Sequence, residues 1–339
     1  MSKEVSPASS LLRGALDNFF KKMAQMPDRV AVGVSGGADS LALARALHDF
    51  YPDIDLHILT VDHGLRTESA AEAATVGEWV ASWGGTRTHN AILGGAMPYG
   101  GTKLQEGARH YRYSLMLDYC TAKSVPMLLT AHHGDDQLET FLIRLCAGST
   151  PSGLKSMQPL SQLSENLTLG RPLLSLKHAD CVAFCHEKAM KWVEDPSNEN
   201  ADFQRVRMRK MAHFLEGEGF DIARLTTLTE RLADLYELLN EAVNAARVDL
   251  THKNTSKRIV YRLSGFKALN RRVAVVLLEE ALEALGLPKN YGPRLHKVED
   301  IVDDLRKSRM ATARTLNGCR IAPNVKADTL EISPEKPQK

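Results

Sequence analysis

The chain has 339 residues, of which 43% are hydrophobic and 25% are charged, an ordinary composition for a globular protein of more than one core. Its five cysteines are too few and too scattered for a disulfide framework, and its polar first residues exclude a signal-peptide core. No stretch reaches the roughly 18 apolar residues of a membrane span, so we expect a cytoplasmic protein with no membrane partner.

The first 150 residues alternate short apolar runs with segments of helical periodicity. Strands are expected at 30–34, 56–61, 86–93 and 125–130, and helices at 40–47, 68–83, 103–123 and 135–145. This alternation predicts an α/β domain with a parallel sheet flanked by helices. In such sheets ligands bind beyond the carboxyl ends of the strands.

The second half has a different pattern. The sequence Asp-Pro-Ser-Asn at 195–198 interrupts any helix, so we predict two domains, 1–200 and 201–339. Helices are expected at 203–215, 222–246, 265–285 and 292–306. Residues 312–332 alternate around Asn317-Gly318, a hairpin turn signal. A mainly helical second domain with a C-terminal β-hairpin is therefore predicted.

Charge is unevenly distributed between these halves. Residues 1–200 carry 18 Lys and Arg against 22 Asp and Glu, whereas residues 201–339 carry 25 against 19. No acidic residue occurs from 250 to 278, a stretch that contains Lys253, Lys257, Arg258, Arg262, Lys267, Arg271 and Arg272. A polyanionic partner on the second domain explains this run, and a solvated basic face is the alternative.

A glycine-rich turn follows the first predicted strand. Glycines let the backbone approach an anion closely, and the next helix directs its unpaired N–H groups at that anion. The turn lacks the lysine and the spacing of a Walker loop. The predicted phosphate-binding residues are Ser35, Gly36, Gly37, Ala38, Asp39 and Ser40.

An acidic cluster follows the fourth predicted strand. Asp136 and Glu139 are three residues apart at a helix start, so both carboxylates point to one side. Capping of the helix alone accounts for Asp135. Three carboxylates and His132 beside a phosphate site exceed what capping needs, and they suit Mg²⁺ or an ammonium group.

The pattern Ser-Gly-Gly-x-Asp-Ser resembles the pyrophosphate loop of the N-type ATP pyrophosphatases, which implies cleavage of ATP to AMP and pyrophosphate. Further motifs, taken in order, resemble the tRNA(Ile)-lysidine synthetase family over about residues 30–209. They are Asp62-His63-Gly64-Leu65-Arg66, Arg109 and Arg112 on one helix, the segment 131–140, Arg171-Pro172-Leu173-Leu174, Asp195-Pro196-Ser197-Asn198, and Arg205 with Arg207. The resemblance continues more weakly through 266–286 and 315–332.

This resemblance implies a ligase that forms a C–N bond. ATP would adenylate the C2 oxygen of the wobble cytidine in the CAU anticodon of an isoleucine tRNA, and free lysine would then displace AMP. The lysidine product would read AUA codons. The basic second domain would hold the tRNA.

The resemblance also assigns roles to residues. Asp136, Asp39 and Glu139 are the predicted catalytic residues, and Asp136 and Glu139 are also expected to bind lysine. Asp39 and Asp135 would hold Mg²⁺. The predicted ATP site comprises the six loop residues together with His63, Arg109 and Arg112, whereas Arg66 is expected to contact the nucleotide or the tRNA base. The predicted tRNA-binding residues are Arg205, Arg207, Lys253, Lys257, Arg258 and Arg262.

One departure from the family pattern occurs at 148–154, where Thr150 stands in place of a glycine and precedes Pro151. A residue before proline favours an extended backbone, so this loop is expected to differ in shape from the family's glycine-containing loop.

Two alternative functions also stay open: a tRNA thiolase on the same fold, which usually needs paired cysteines, and an ATP- or RNA-binding protein without turnover. The sequence leaves monomer and homodimer open.

Overall fold

The computed structural model describes residues 6–62, 69–85, 87–94, 104–149, 151–193, 204–286 and 295–335. The chain forms two compact units, 1–232 and 233–339, and the division between them falls within one long helix, Ile222–Leu250. The predicted domain boundary at residues 200 and 201 lies outside the described residues and stays a prediction.

A six-stranded sheet organises the first unit. Its strands are β1 (Arg29–Val34), β2 (Asp55–Asp62), β3 (Thr88–Gly94), β4 (Met127–Leu129), β5 (Leu160–Ser164) and β6 (Leu167–Gly170), in the order β3-β2-β1-β4-β6-β5. All neighbours pair in parallel except β5, which runs antiparallel to β6 at the edge. The predicted parallel sheet is confirmed, and β5 and β6 are additions to it.

Helices cover both faces of this sheet. They are α1 (Pro7–Phe20), α2 (Ala38–Phe50), α3 (Ser69–Ala81), α4 (Leu104–Ala122), α5 (Gly134–Cys146), α6 (Pro151–Leu154) and α7 (His178–Glu187). Residues alternate between faces along β1: Val30 and Val32 join a core with α1, α2 and α7, whereas Ala31 joins a core with α4. This alternation explains why β1 is apolar throughout: both of its faces are covered.

The first unit continues beyond its sheet into α8 (Gln204–Gly217) and the start of α9 (Ile222–Leu250). Leu138 and Phe141 of α5 pack with Ala212 of α8 and Leu225 of α9 in a small core of their own. Gly134, the first residue of α5, touches Ile222 so closely that an added Cβ would lie 2.5 Å from its Cδ1 atom. The helix that carries the acidic cluster is therefore held by α8 and α9.

In its described residues, the second unit combines the C-terminal part of α9 and three further helices with a five-stranded antiparallel sheet. Its elements are β7 (Thr251–Thr255), β8 (Arg258–Arg262), α10 (Leu263–Ala268), α11 (Arg271–Leu285), α12 (Leu295–Arg306), β9 (Arg314–Leu316), β10 (Cys319–Asn324) and β11 (Thr329–Pro334). The strand order is β7-β8-β11-β10-β9. Helix α11 is buried along most of its length, and it shares one core with α12 and the sheet.

The predicted C-terminal hairpin is confirmed, with Asn317 and Gly318 in the left-handed conformation between β9 and β10. The hairpin β7–β8 was not predicted, because β7 is polar throughout and β8 has only three consecutive apolar residues, Ile259, Val260 and Tyr261. Among the described residues, no helix combines the length and the apolar character that crossing a bilayer requires.

Candidate active site

The predicted phosphate loop joins β1 to α2. Ser35 donates its backbone N–H to Ser40 Oγ at 3.1 Å, and Ser40 Oγ–H donates to the Gly37 carbonyl at 3.0 Å. Gly37 is the N-cap residue, and its own side chain is absent, so no side chain caps the first N–H groups of α2. Those groups and the Ser35 hydroxyl can donate to an anion, and the Ser40 hydroxyl can do so once it turns away from the Gly37 carbonyl.

Gly36 sets the shape of this loop. Its φ of +89° is in the region that favours glycine, and an added Cβ would lie 3.0 Å from Val76 Cγ2. Its carbonyl accepts a 2.9 Å hydrogen bond from the Val193 N–H. The backbone of the loop at Gly36 is therefore held between Val76 and Val193.

Gly36→Ala is expected to weaken ATP binding at least about tenfold, because a left-handed alanine costs roughly 1–2 kcal/mol and its methyl group meets Val76. Calorimetric titration with ATP measures the effect. Gly14→Ala is the matched control: its Cβ meets nothing within 4 Å on helix α1, so ATP affinity is expected to persist. Equal ATP affinities for Gly36→Ala and the parent protein would contradict the assigned loop.

Asp39, in the first turn of α2, faces two histidines. Its Oδ1 accepts a hydrogen bond from His178 Nδ1 at 2.7 Å, and its Oδ2 lies 3.7 Å from His133 Nε2. Asp135 approaches the same pair, since its Oδ2 accepts the His178 backbone N–H at 2.7 Å and lies 3.3 Å from His133 Nδ1. The two predicted metal ligands are therefore brought together around His133 and His178.

The charge of this cluster follows from its contacts. Burial lowers the pKa of His133, but its contact with Asp135 and the charges of Asp136 and Asp39 outweigh burial and raise that pKa to about 9. The hydrogen bond to Asp39 likewise raises the pKa of His178. Burial raises the pKa of Asp135, but its contacts with both histidines outweigh burial and lower that pKa. A buried imidazolium thus lies among three carboxylates.

Asp136 and Glu139 lie on α5 but have different surroundings. Asp136 Oδ2 accepts the backbone N–H of His133 at 3.1 Å, and its side chain is about one quarter exposed. Glu139 is buried, and its Oε1 accepts a 2.8 Å hydrogen bond from Arg209 Nε of α8. Asp136 is therefore open to a substrate, whereas an ammonium group that reaches Glu139 would share it with Arg209.

Arginines lie near the histidine that precedes this helix. Burial and the charges of Arg171, Arg109 and Arg112 together lower the pKa of His132 to about 4, against the opposing charge of Asp136. His132 is therefore neutral, and its Nδ1 lies 2.9 Å from Thr130 Oγ1. The predicted ATP-binding arginines of α4 thus reach the same edge of the sheet as the acidic cluster.

The structure places the remaining predicted residues as follows. Arg205 and Arg207 are exposed on α8, and Arg205 lies within electrostatic range of Arg112. His63 and Arg66 lie outside the described residues, as does Thr150. The basic residues from Lys253 to Arg262 lie on the β7–β8 hairpin of the second unit.

His178 was not predicted as a site residue. It is the first residue of α7, four residues after the Arg171-Pro172-Leu173-Leu174 motif, and only the tertiary fold brings it to Asp39. A polar residue at a helix start directly after a recognised motif was the available signal. Alone, that signal equally fits a solvated helix end.

The sheet order, the glycine-rich turn after β1 and the acidic cluster after β4 define a nucleotide-binding α/β domain. Residues 10–213 match the family described as the PP-loop domain. A solved structure of the U34-tRNA thiolase NcsA from Methanococcus maripaludis has a similar fold, with a TM-score of 0.56 at 16% identity, over 67% of this chain and 78% of that one. The chain is therefore built on a PP-loop domain.

Proteins of similar sequence identify the family within the PP-loop enzymes to which this chain belongs. A tRNA(Ile)-lysidine synthase of Methylobacterium nodulans is 36% identical over 315 residues, which are 91% of this chain and 91% of the relative. A tRNA(Ile)-lysidine synthase of Ruegeria pomeroyi is 35% identical over 88% of this chain and 70% of its own length. The chain belongs to the tRNA(Ile)-lysidine synthase family.

Proposed function

We propose that this enzyme joins free lysine to the C2 atom of the wobble cytidine in an isoleucine tRNA with a CAU anticodon, using ATP. The observation that carries the proposal is the arrangement of the phosphate loop and three carboxylates on one sheet edge of a chain with lysidine-synthase relatives. Asp39 joins the two parts, because it belongs to the loop and contacts His178, to which Asp135 also bonds.

The first step is adenylation. The cytidine O2 atom attacks the α-phosphorus of ATP, and the bond from that phosphorus to the bridging oxygen of pyrophosphate breaks. Backbone N–H groups at the start of α2 and the hydroxyls of Ser35 and Ser40 would hold the pyrophosphate, with Ser40 exchanging its hydrogen bond to the Gly37 carbonyl for one to the anion. The cationic side chains of Arg109 and Arg112 would balance the phosphate charge.

The second step forms the C–N bond. The ε-amine of lysine attacks C2, and AMP leaves together with the former O2 atom of the cytidine. AMP is a far better leaving group than the unactivated O2 atom would be. The amine must lose a proton although its ordinary pKa is about 10.4, so a base near the nucleophile is needed. Asp136 fits that role because it is ionisable, partly exposed and fixed by the His133 N–H.

The donor set also suits Mg²⁺, which takes oxygen ligands and usually needs only one or two protein carboxylates besides phosphate oxygens. Asp39 and Asp135 supply those carboxylates, and His178 bonds to both of them. Bound Mg²⁺ would neutralise phosphate charge. Asp39 and Asp135 would hold the ion, which would leave Asp136 to interact with the lysine amine.

The two alternative functions, a tRNA thiolase and a non-catalytic ATP- or RNA-binding protein, require different residues in the site. The thiolase resemblance is one of fold alone, and the chain's cysteines offer no pair suited to sulfur transfer: Cys181 and Cys185 are buried, and burial raises the pKa of both thiols. An ATP-binding protein without turnover would not need a cluster of three carboxylates at the phosphate loop. We therefore propose catalysis, by an enzyme that works in the cytoplasm.

ATP is expected to yield AMP and pyrophosphate, and not ADP, because the loop has no Walker lysine. Thin-layer chromatography of products from α-labelled ATP makes the distinction, with lysine and tRNA omitted in turn. Omission of lysine should leave an adenylated tRNA, and omission of tRNA should abolish turnover. ADP as the main product would refute the proposed reaction.

A further inference from the structure

A second cluster of ligating side chains lies at the opposite end of the sheet. Asp55 and His57 are two residues apart on β2, so their side chains share one face, and His89 is the direct neighbour of His57 on β3. One ligating atom from each of these three side chains lies within 4.8 Å of the other two. This cluster shares no residue with the candidate active site.

The distances within the cluster are short. His89 Nε2 lies 2.7 Å from Asp55 Oδ1, and His57 Nε2 lies 3.6 Å from Asp55 Oδ2. The two imidazole rings are 4.8 Å apart between centroids. Two imidazole nitrogens and one carboxylate oxygen therefore converge on a single point at the amino ends of adjacent strands.

His57 has a buried nitrogen atom without a hydrogen-bond partner among the described residues. Its side chain is only 6% exposed, and among the described residues its Nε2 atom has no hydrogen-bond partner. Buried polar atoms normally have one, since leaving them unpaired is costly. The other nitrogen, Nδ1, lies 3.0 Å from Tyr119 Oη on α4, which fixes the ring so that Nε2 faces Asp55 and His89.

We propose that Asp55, His57 and His89 bind a divalent transition-metal ion, with Zn²⁺ as the representative ion. Histidine nitrogens and a carboxylate oxygen are zinc ligands, and a tetrahedral ion held by three protein ligands takes solvent as its fourth. Metal-bound histidines usually have their second nitrogen hydrogen-bonded, as Tyr119 does here for His57. The ion satisfies the nitrogen that the protein alone leaves unpaired.

The surroundings are compatible with this ion. Arg29 Nε binds Asp55 Oδ2 at 2.7 Å, which leaves Oδ1 for the metal once the ion replaces the His89 contact. An open cleft lined by Arg29, Asp55 and His89 admits ion and solvent.

The position of this site defines its role. Asp55 and Asp62 are the two ends of β2, about 23 Å apart at roughly 3.3 Å per residue, and the active site lies beyond the carboxyl ends. The metal would therefore stabilise the pairing of the edge strand β3 with β2, and it would take no part in joining lysine to tRNA. It is expected to stabilise the folded chain by binding it in preference to the unfolded one.

Metal-stripped full-length protein, titrated with Zn²⁺ against a chromophoric chelator, tests the site. His89→Gln is the informative variant, because His89 is half exposed and its loss should leave the fold intact. The parent protein is expected to bind one equivalent that the variant binds at least about tenfold more weakly. Zn²⁺ should also raise the melting temperature of the parent but not that of His89→Gln.

Two control variants complete the experiment. His178→Gln removes a ligating group from the active-site cluster, and His213→Gln removes an exposed histidine elsewhere. Both control variants are expected to bind one equivalent of Zn²⁺ as tightly as the parent protein does, unlike His89→Gln. The proposal is overturned if His89→Gln binds Zn²⁺ like the parent, or if His178→Gln is the variant that loses the tight equivalent. Asp55→Asn should reproduce the loss seen with His89→Gln.

Discussion

Asp136→Asn is expected to lower the rate of lysidine formation by about 100- to 10,000-fold, the usual contribution of a positioned general base. Asparagine keeps the size of the side chain and an oxygen that can accept the His133 N–H, so the start of α5 survives. What is lost is the ability to take the proton of the lysine amine. Incorporation of labelled lysine into tRNA measures the rate.

The chain offers a matched control for this substitution. Asp180 occupies the same third helical position of α7, where its Oδ2 accepts the backbone N–H of Lys177 at 2.8 Å. Asp180→Asn therefore makes the same chemical change in the same local structure, without a general-base role assigned to the residue. Its rate is expected to match the parent.

Stability separates a catalytic effect from a structural one. Both variants lose the interaction of a negative charge with a helix start, about 0.3–1 kcal/mol. Asp136→Asn also loses the charge interaction with His133, so its denaturation midpoint is expected to be the lower of the two while the variant stays folded. Near-normal lysine incorporation by Asp136→Asn would show that this carboxylate is not the base. An equal loss of activity in both variants would assign the effect to helix capping.

The double substitution Lys253→Gln and Lys257→Gln is expected to give the largest loss of tRNA affinity among changes to the basic run. Both lysines are exposed on the β7–β8 hairpin, and within the described residues neither side chain has a partner. Each lost phosphate contact should flatten the slope of log K against log salt by roughly 0.7–0.9. Filter binding of tRNA at several salt concentrations provides both quantities.

The arginines of the same run have acidic partners in their own unit. Arg258 pairs with Glu331, Arg262 with Asp249 at 2.8 Å, and Arg271 with Asp303 at 2.8 Å. Partners of this kind reduce the charge that a phosphate meets. Arg258 and Arg262 stay predicted tRNA-binding residues, but the structure favours the two lysines over them.

A charge-matched control uses Arg271→Gln together with Arg272→Gln, because both side chains pair with Glu299 of α12. This control also removes two positive charges, yet tRNA affinity and its salt slope should change little. ATP affinity should be unaffected in both double variants, because the phosphate loop belongs to the other unit. Identical salt slopes for the lysine variant and the parent would leave the run as a solvated basic face.

The four parallel strands β1 to β4 and the phosphate loop could be predicted from the amino-acid sequence. Val30–Val34 is apolar without interruption because β1 is covered on both faces, and Gly36 follows it at a position whose φ of +89° favours glycine. The same local logic located the helix with Asp135 and Asp136. These features depend on neighbours within a few residues, which a sequence displays directly.

Which side chains contact each other in the site could not be predicted from the sequence, because these contacts join distant parts of the chain. His178 reaches Asp39 across 139 positions of chain, and Arg209 neutralises Glu139 across 70, so neither contact leaves a periodic or local signal. The pairing of the basic run likewise depends on acids from distant helices and strands. Contacts of this kind follow from the packing of whole elements, and this is why the loop was predicted residue by residue but its partners were not.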